Sequence, residues 1–250
     1  MPVLGVIPAR LGSTRLPSKP LQPLGGVPLV VRVAGRVGAF GCMDALLVAT
    51  DSPKILQVVE QAGFRAVLTS GAHETGTERV AEVAGLTEFA GFDLIVNVQG
   101  DEPFVPREAV IGAIARVRGG DDVGSAAAPL PAASAADPAR VKVVVDAAGR
   151  ALYFSRAAIP FIRDPDGIDR GLYWQHLGVY ACRRAALMRW VSLAPTPLEN
   201  AERLEQLRAL QHGITFGIAL LDGPVLPGID TQEDLERAEA HWQETQGVST

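Results

Sequence analysis

The first part of the chain alternates between short apolar runs and apolar residues at helical spacing. Residues 3–7 form an apolar run rich in β-branched side chains and end at Pro8, which is typical of a buried parallel strand. Over residues 28–40, apolar side chains recur every three or four positions, which predicts a helix with proline in its first turn.

The same alternation continues to about residue 120. The pattern predicts strands over residues 45–50, 65–69 and 92–98, and helices over residues 52–62, 75–85 and 107–118. Strands and helices that alternate at this spacing favour a parallel sheet. We therefore expect an α/β fold with a mostly parallel sheet flanked by helices on both faces.

From about residue 124 the pattern changes. Residues 126–140 are rich in Ala, Pro and Ser, and they are interpreted as an irregular crossing at the solvent edge. Beyond it the pattern predicts strands over 141–145, 151–154, 177–181 and 214–221, helices over 199–211 and 231–242, and a frayed tail over 243–250. We predict a single domain over residues 1–250, with a smaller inserted α+β lobe at about residues 124–213.

Composition narrows the functional class. With 250 residues, of which 48% are hydrophobic, the chain can bury a full core, and its net charge of −5 argues against nucleic-acid binding. Cys42 and Cys182 lie far apart without metal-ligand spacing, so zinc and a disulfide framework are not expected. No apolar stretch approaches the roughly 18 residues of a membrane span, and Arg10 and Arg15 do not fit a secretory signal. We expect a cytoplasmic protein with no membrane contact.

The loop after the first strand has the composition of a polyphosphate site. Within ten residues it combines cations with small and hydroxyl-bearing residues: Arg10, Gly12, Ser13, Thr14, Arg15 and Lys19. The loop matches neither the Walker pattern nor the GxGxxG pattern, which argues against a nicotinamide dehydrogenase. The alternative is an ordinary solvated loop, but the prolines at both ends stiffen it, which favours a function that depends on its shape.

Two acidic positions are candidates for a magnesium site. Asp101 follows the apolar strand at residues 92–98, and Asp230 precedes the last predicted helix. Mg²⁺ prefers one or two protein carboxylates together with phosphate oxygens, although either residue could instead cap a helix. Similarly, Thr75, Gly76, Thr77 and Arg79 could contact a pyrimidine base or simply begin a helix.

Nine segments, taken together, resemble one family. They are PARLGSTRLPSKPL, ATD, TGTER, NVQGDEP, VKVV, ALYFSRAAIP, HLGVY, PLENAERLEQLRAL and GIDTQEDLE. In this order they are similar to the 3-deoxy-manno-octulosonate (KDO) cytidylyltransferases, over about residues 3–239. QGDEP indicates the wider sugar-acid cytidylyltransferases, whereas SRAAIP, HLGVY and LEQLR indicate the KDO group. The resemblance implies a Rossmann-like nucleotidyltransferase fold.

The resemblance also assigns roles to residues of this chain. It implies that the nucleotide is bound by Ala9, Arg10, Gly12, Ser13, Thr14, Arg15, Lys19, Thr50, Asp51, Thr75, Gly76, Thr77, Arg79, Gln99 and Asp101. It implies that the sugar acid is bound by Gln99, Arg156, His176, Tyr180, Glu205 and Gln206. It implies catalytic roles for Arg10, Lys19, Asp101 and Asp230, with Asp101 and Asp230 as the Mg²⁺ ligands. Thr75 stands where the family has Ser, and Ser18 stands where Gly is common.

The implied reaction transfers CMP from CTP to the anomeric 2-hydroxyl of KDO and releases pyrophosphate, for lipopolysaccharide biosynthesis. The family resemblance also implies a homodimer, with residues 153–173 or the helix around Trp190 as the candidate contact surface. Two alternatives stay open. The acceptor could be another sugar acid, such as 8-amino-KDO or a sialic acid, or the chain could be a non-catalytic nucleotide-binding regulator.

Overall fold

The computed structural model describes residues 1–12, 15–163 and 171–247. Its strands are β1 (Val3–Ala9), β2 (Pro23–Leu24), β3 (Val27–Pro28), β4 (Ala45–Thr50), β5 (Ala66–Leu68), β6 (Leu94–Val98), β7 (Val123–Pro129), β8 (Lys142–Val145), β9 (Ala151–Ser155), β10 (Trp174–Arg183) and β11 (Phe216–Leu220). Its α-helices are α1 (Leu29–Gly38), α2 (Pro53–Gln61), α3 (Gly76–Gly85), α4 (Arg107–Arg118), α5 (Arg184–Ser192), α6 (Pro197–Glu202), α7 (Gln206–Gln211) and α8 (Gln232–Gly247). None of the helices in these described ranges is long and apolar enough to span a bilayer.

The chain divides into two compact units, and the first consists of Met1–Val105 with Leu226–Thr250. Its sheet has the strand order β6-β1-β4-β5, and every neighbouring pair is parallel. On the central strand, Val6 lies opposite Leu47 of β4 and Asn97 of β6. All of β1 is buried, as its continuous apolar run predicts. The predicted fold class, a mostly parallel sheet flanked by helices, is confirmed.

Local sequence signals determine where the helices of this unit begin and end. The Ser52 hydroxyl accepts a hydrogen bond from the backbone N–H of Ile55, and α2 then ends before Gly63, whose φ of 83° suits glycine. Thr75 and Glu78 form a reciprocal capping box at the start of α3. The predicted helices over 52–62 and 75–85 are therefore confirmed to within a residue or two.

The second unit, Pro106–Val225, contains a strand that the sequence analysis missed. β7 pairs in parallel with β11 and antiparallel with β10, and β8 and β9 continue the sheet beyond β10. The expectation of an irregular crossing was wrong for residues 126–129, which belong to β7. Small residues are needed here because the backbone of α4 comes very close. A Cβ atom on Gly124 would lie 1.9 Å from the carbonyl oxygen of Ala113.

The prediction of a single helix over residues 199–211 was also wrong. The structure has two short helices, α6 and α7, separated by Arg203, which adopts a left-handed conformation with φ of 53°. Helical propensity cannot reveal this break, since its cause lies in contacts with β9 described below. Two other boundaries differ. β10 is longer than the predicted 177–181, and α8 continues to Gly247, where a frayed tail was expected.

The contact between Gly124 and α4 leads to a stability prediction. Gly124→Ala should lower the free energy of unfolding by about 2–3 kcal/mol, because the new methyl group meets helix backbone rather than a flexible side chain. Gly85→Ala is the matched control, since a Cβ atom there meets nothing within 4 Å. Urea unfolding of both variants measures the difference. Equal stability of the two would contradict the close approach.

Candidate active site

A cavity of about 380 Å³ lies in the first unit, where β1 and β6 end. This volume is within the range of small-molecule sites. The cavity is lined by Pro8, Ala9, Arg10, Gly12, Arg15, Lys19, Pro20, Glu74, Thr75, Gly76, Arg79, Gln99, Gly100, Asp101 and Asp230. Ligands of open parallel sheets bind beyond the carboxyl ends of the strands, as this cavity would allow.

Two glycines let three segments meet around Pro8. A Cβ atom on Gly100 would lie 2.8 Å from the carbonyl oxygen of Pro8, and one on Gly76 would lie 3.1 Å from the proline ring. Any larger residue at position 100 would press its Cβ atom against the backbone carbonyl of Pro8. The glycines therefore bring the ends of β1 and β6 and the start of α3 close enough to form one wall.

Lys19 links the two predicted magnesium ligands. Its Nζ donates to Asp101 Oδ2 at 2.5 Å and to Asp230 Oδ1 at 2.9 Å, and its side chain is only 16% exposed. Arg15 adds an ion pair to Asp230 at 3.1 Å. Ser18, just before Lys19, has a φ of 52°, which explains why glycine is favoured at that position.

Asp101 and Asp230 shift the pKa values of two neighbouring groups. Burial opposes the charge of Lys19, but Asp101 and Asp230 together outweigh it and raise the lysine pKa above its usual value. Burial raises the pKa of the neighbouring Glu102 to about 8, and repulsion from the same two aspartates adds to the rise. The cluster would therefore accept further positive charge.

The two aspartates meet the requirements of a magnesium ion. Both carboxylates reach the same ammonium group, so their oxygens already converge on one point. Within the described residues, no group of three or more His, Cys, Asp or Glu side chains is arranged as a metal site. That finding is compatible with Mg²⁺, which commonly takes only one or two carboxylates and draws its other ligands from phosphates and water.

An apolar cluster anchors the segments that carry these charges. Leu16, from the N-terminal loop, and Ile229, next to Asp230, are both buried in it, together with Leu24, Leu29 and residues of α8. Because Leu16 and Ile229 are almost fully buried, Lys19 and Asp230 are held near each other by packing as well as by charge.

Arg79, which also lines the cavity, is held by Asp51. Its guanidinium lies 2.9 Å from the carboxylate, and its side chain is 2% exposed. It also contacts the hydroxyl of Thr69. Thr50 is buried, and its hydroxyl accepts a hydrogen bond from the backbone N–H of Ser52. Asp51 therefore positions the arginine, whereas Thr50 shapes the turn before α2.

The structure brings most of the predicted nucleotide and metal ligands together. Those lining the cavity are Ala9, Arg10, Gly12, Arg15, Lys19, Thr75, Gly76, Arg79, Gln99, Asp101 and Asp230. Thr50, Asp51 and the buried Thr77 are not part of this lining. Ser13 and Thr14 lie outside the described residues.

Four residues that line the cavity were not among the predicted site residues. They are Pro8, Pro20, Glu74 and Gly100. The backbone carbonyl of Glu74 accepts a hydrogen bond from Arg10 at 3.2 Å. Gly100 had a usable signal, because a glycine directly after a buried strand often marks a close backbone approach.

The predicted acceptor residues, apart from Gln99, belong to the second unit. Arg156 follows β9, and its guanidinium donates to the carbonyl oxygens of Glu202 and Pro138, both at 2.8 Å. The Glu202 carboxylate in turn accepts from Ser155 Oγ at 2.5 Å and from the Arg156 backbone N–H at 2.8 Å. These bonds satisfy carbonyl groups at the end of α6 and explain the helix break at Arg203.

His176 and Tyr180 lie next to each other on β10, with ring centroids 5.4 Å apart. Burial lowers the pKa of His176 to about 3, so the imidazole is neutral near pH 7. Burial raises the pKa of Tyr180, and the negative charge of Glu205 adds to this shift, so the phenol stays protonated. Gln206 is buried in the first turn of α7. The second unit thus groups His176, Tyr180 and Glu205.

Comparisons with known proteins agree with this arrangement. The model of the family described as Cytidylyltransferase matches residues 4–216. A 3-deoxy-manno-octulosonate cytidylyltransferase from Gemmatimonas aurantiaca is 52% identical, over 97% of this chain and 95% of that protein. One from Yersinia pseudotuberculosis is 44% identical, over 96% of this chain and 98% of that protein.

Solved structures show the same relationship. A CMP:2-keto-3-deoxy-manno-octonic acid synthetase complexed with CTP is 36% identical, with a TM-score of 0.90 over 98% of this chain and all of that one. A putative glucose-1-phosphate thymidylyltransferase from Bacillus anthracis, at 16% identity and a TM-score of 0.65 over 97% of this chain and 96% of that one, shares the fold alone. The chain therefore belongs to the cytidylyltransferase family, as a member of the 3-deoxy-manno-octulosonate cytidylyltransferases.

Proposed function

We propose that this protein transfers CMP from CTP to the anomeric 2-hydroxyl of 3-deoxy-manno-octulosonate, giving CMP-KDO and pyrophosphate for lipopolysaccharide biosynthesis. The observation that carries the proposal is the cavity in which Lys19 joins Asp101 and Asp230, beside the basic loop. The acceptor hydroxyl attacks the α-phosphorus of CTP, the bond to the bridging oxygen breaks, and pyrophosphate leaves with that electron pair. The hydroxyl proton is released to solvent.

Arg10, Arg15 and Lys19 hold the triphosphate. They line one cavity, and Arg10 is exposed and well placed to donate charge-assisted hydrogen bonds to phosphate oxygens. Reactions of this kind need positioning and charge stabilisation more than covalent help from the protein. The three cations therefore orient the α-phosphate and stabilise the negative charge that develops on pyrophosphate.

We propose Asp101 and Asp230 as the ligands of catalytic Mg²⁺. When bound, the ion supplies positive charge that polarises phosphate oxygens and favours ionisation of the attacking hydroxyl. The convergence of both carboxylates on one ammonium group supports a cation at this place. Lys19, which now bridges the two carboxylates, would then be free to turn toward phosphate.

At the acceptor, Arg156 is proposed to bind the sugar-acid carboxylate. Its Nη1 and Nη2 retain donors beyond those given to backbone carbonyls. His176, Tyr180, Glu205 and Gln206 are proposed to contact the rest of the sugar acid, and Gln99 is proposed as a further sugar-acid contact. Because His176 is neutral, it contributes a hydrogen bond and no charge.

We further propose a cytoplasmic homodimer. Phe161, within the candidate contact segment at residues 153–173, and Leu152, directly before it, are 86% and 61% exposed, which is unusual for large apolar side chains. Neither cysteine forms a disulfide, and Cys182 is buried, which suits a reducing compartment.

The proposed activity is tested by pyrophosphate release with CTP, Mg²⁺ and KDO. Asp101→Asn should reduce turnover about 100-fold or more with the fold unchanged, because the metal and Lys19 each lose a charged partner. Asp93→Asn is the matched control. Asp93 is exposed and directly precedes β6, whereas Asp101 follows the other end of that strand. Circular dichroism checks the folding of both variants.

The same assay separates the alternatives. Faster release with 8-amino-KDO or a sialic acid than with KDO would change the acceptor assignment, and activity with UTP or TTP but not CTP would overturn the nucleotide assignment. CTP binding with no turnover on any sugar acid would indicate the non-catalytic regulator. Near-normal turnover by Asp101→Asn with Mg²⁺ would exclude Asp101 as a required metal ligand.

Light scattering after size exclusion tests the dimer. The wild-type protein should have twice the 26.4 kDa mass of one chain, and Phe161→Glu should shift it toward that single-chain mass, because a carboxylate cannot be buried unpaired in an apolar contact. Leu68→Glu, at a 51% exposed apolar residue of the first unit, should leave the mass unchanged. A monomeric wild-type protein at micromolar concentration would contradict the proposal.

A further inference from the structure

A bulge in β10 lies opposite a single buried serine. Leu177 pairs with Ala126 of β7 and Ala181 pairs with Gly124, so the stretch of β10 between them faces only Ser125. In a regular ladder one residue of β10 would lie opposite Ser125. Here residues 178–180 lie between the two pairs, so β10 is locally shortened. Bulges of this kind re-aim side chains and are frequent next to active sites.

The bulge brings two predicted acceptor residues together. Residues four apart on a regular strand are separated by about 13 Å along it, at roughly 3.3 Å per residue. The rings of His176 and Tyr180 are nevertheless centred 5.4 Å apart. His176 also lies edge-on to Phe154, with centroids 4.8 Å apart, and its backbone N–H donates to Val141. The imidazole ring therefore packs against both Phe154 and Tyr180.

Ser125 determines which ring nitrogen of His176 carries the proton. Ser125 Oγ lies 2.7 Å from the carbonyl oxygen of Val179, within the bulge, and 3.4 Å from that of Leu177. A carbonyl oxygen only accepts, so the hydroxyl proton is directed to one of these two oxygens. Ser125 Oγ also lies 2.8 Å from His176 Nε2, and with its proton already used it can only accept there. Nε2 must therefore be the donor.

A neutral imidazole carries one proton, so a protonated Nε2 leaves Nδ1 with a free lone pair. The low pKa of His176 is consistent with this state near pH 7. Nδ1 can then accept a hydrogen bond from a hydroxyl or amino group, but it cannot donate one to a carboxylate. A site built around a hydrogen-bonding group discriminates strongly against ligands that lack the partner.

We propose that Ser125 is a positioning residue that holds His176 as the Nε2–H tautomer, so that Nδ1 accepts a hydrogen bond from a hydroxyl group of the sugar acid. This proposal rests on the proposed function for the contact between His176 and the acceptor. Ser125 is the only hydroxyl residue of β7 and is fully buried. Its loss would leave both the Val179 carbonyl and the His176 N–H without this partner.

Nitrogen-15 NMR of the histidine side chains tests the tautomer in the wild-type protein. The chain has four histidines, and His176→Gln assigns the signal. His212 is an internal reference of the opposite kind, since its Nδ1 lies 2.8 Å from the carbonyl oxygen of Arg208 and must donate. We expect Nε2–H for His176, with no titration down to pH 5. An Nδ1–H tautomer, or a doubly protonated ring at pH 6, would overturn the proposal.

Kinetics of Ser125→Ala provide the second test. The KM for the sugar acid should rise at least 10-fold while the KM for CTP stays within twofold, and the His176 tautomer should become mixed. Ser192→Ala is the control, since Ser192 is exposed and bonds only locally to Arg189. Equal effects on both substrates with an unchanged tautomer would show a purely structural role and refute the proposal. An Nε2–H tautomer in a wild-type protein without turnover would refute the proposed function while supporting the tautomer.

Discussion

The ammonium group of Lys19 joins carboxylates from two distant parts of the chain, Asp101 and Asp230, which are 82 and 211 residues away in sequence. The arrangement holds because the neighbouring residues Leu16 and Ile229 are buried in one apolar cluster. Packing brings the segments together, and the lysine then offsets the repulsion between the two acids. Without the lysine, two like charges would converge on one point of a partly buried site.

This arrangement also accounts for the chemistry of the first unit. Burial, with added repulsion from Asp101 and Asp230, raises the pKa of Glu102, and attraction to the same two aspartates raises the pKa of Lys19, so both groups favour added positive charge. Arg10 and Arg15 lie nearby and favour added negative charge. A complex of a metal ion with a triphosphate would supply both the positive charge and the negative charge. The exposed pair between Arg15 and Asp230 would contribute only about 1 kcal/mol or less to stability by itself.

The second unit uses neutral hydrogen bonds where the first uses charge. His176 is uncharged because it is buried, and Ser125 directs its proton through the bulge of β10. Arg156 is the cationic exception, and it is fixed by backbone carbonyls at the end of α6. Directional hydrogen bonds of this kind would suit the proposed recognition of a polyhydroxylated acid, because hydroxyl groups are distinguished by the direction of hydrogen bonds rather than by charge.

The local pattern was sufficient for the parallel strands of the first unit and the helices between them, but not for the short strands β2 and β3 or the end of α8. Continuous apolar runs, the caps at Ser52 and Thr75 and the clustering of Arg10, Arg15 and Lys19 all act over a few residues. The same information placed Asp101 and Asp230 at loop positions and made them candidates for one magnesium site, although helix capping stayed an alternative for each until the family resemblance was considered.

What the local pattern missed depends on partners far away in the chain. Residues 126–129 belong to a strand because they pair with β10 and β11, and the helix over residues 199–211 breaks at Arg203, where Arg156 donates to the carbonyls of Glu202 and Arg203. The tautomer of His176 likewise depends on Ser125, which is 51 residues away. Propensity and periodicity act through neighbours in sequence, so close backbone approach, capping by a distant side chain and proton placement could be decided only by the tertiary structure.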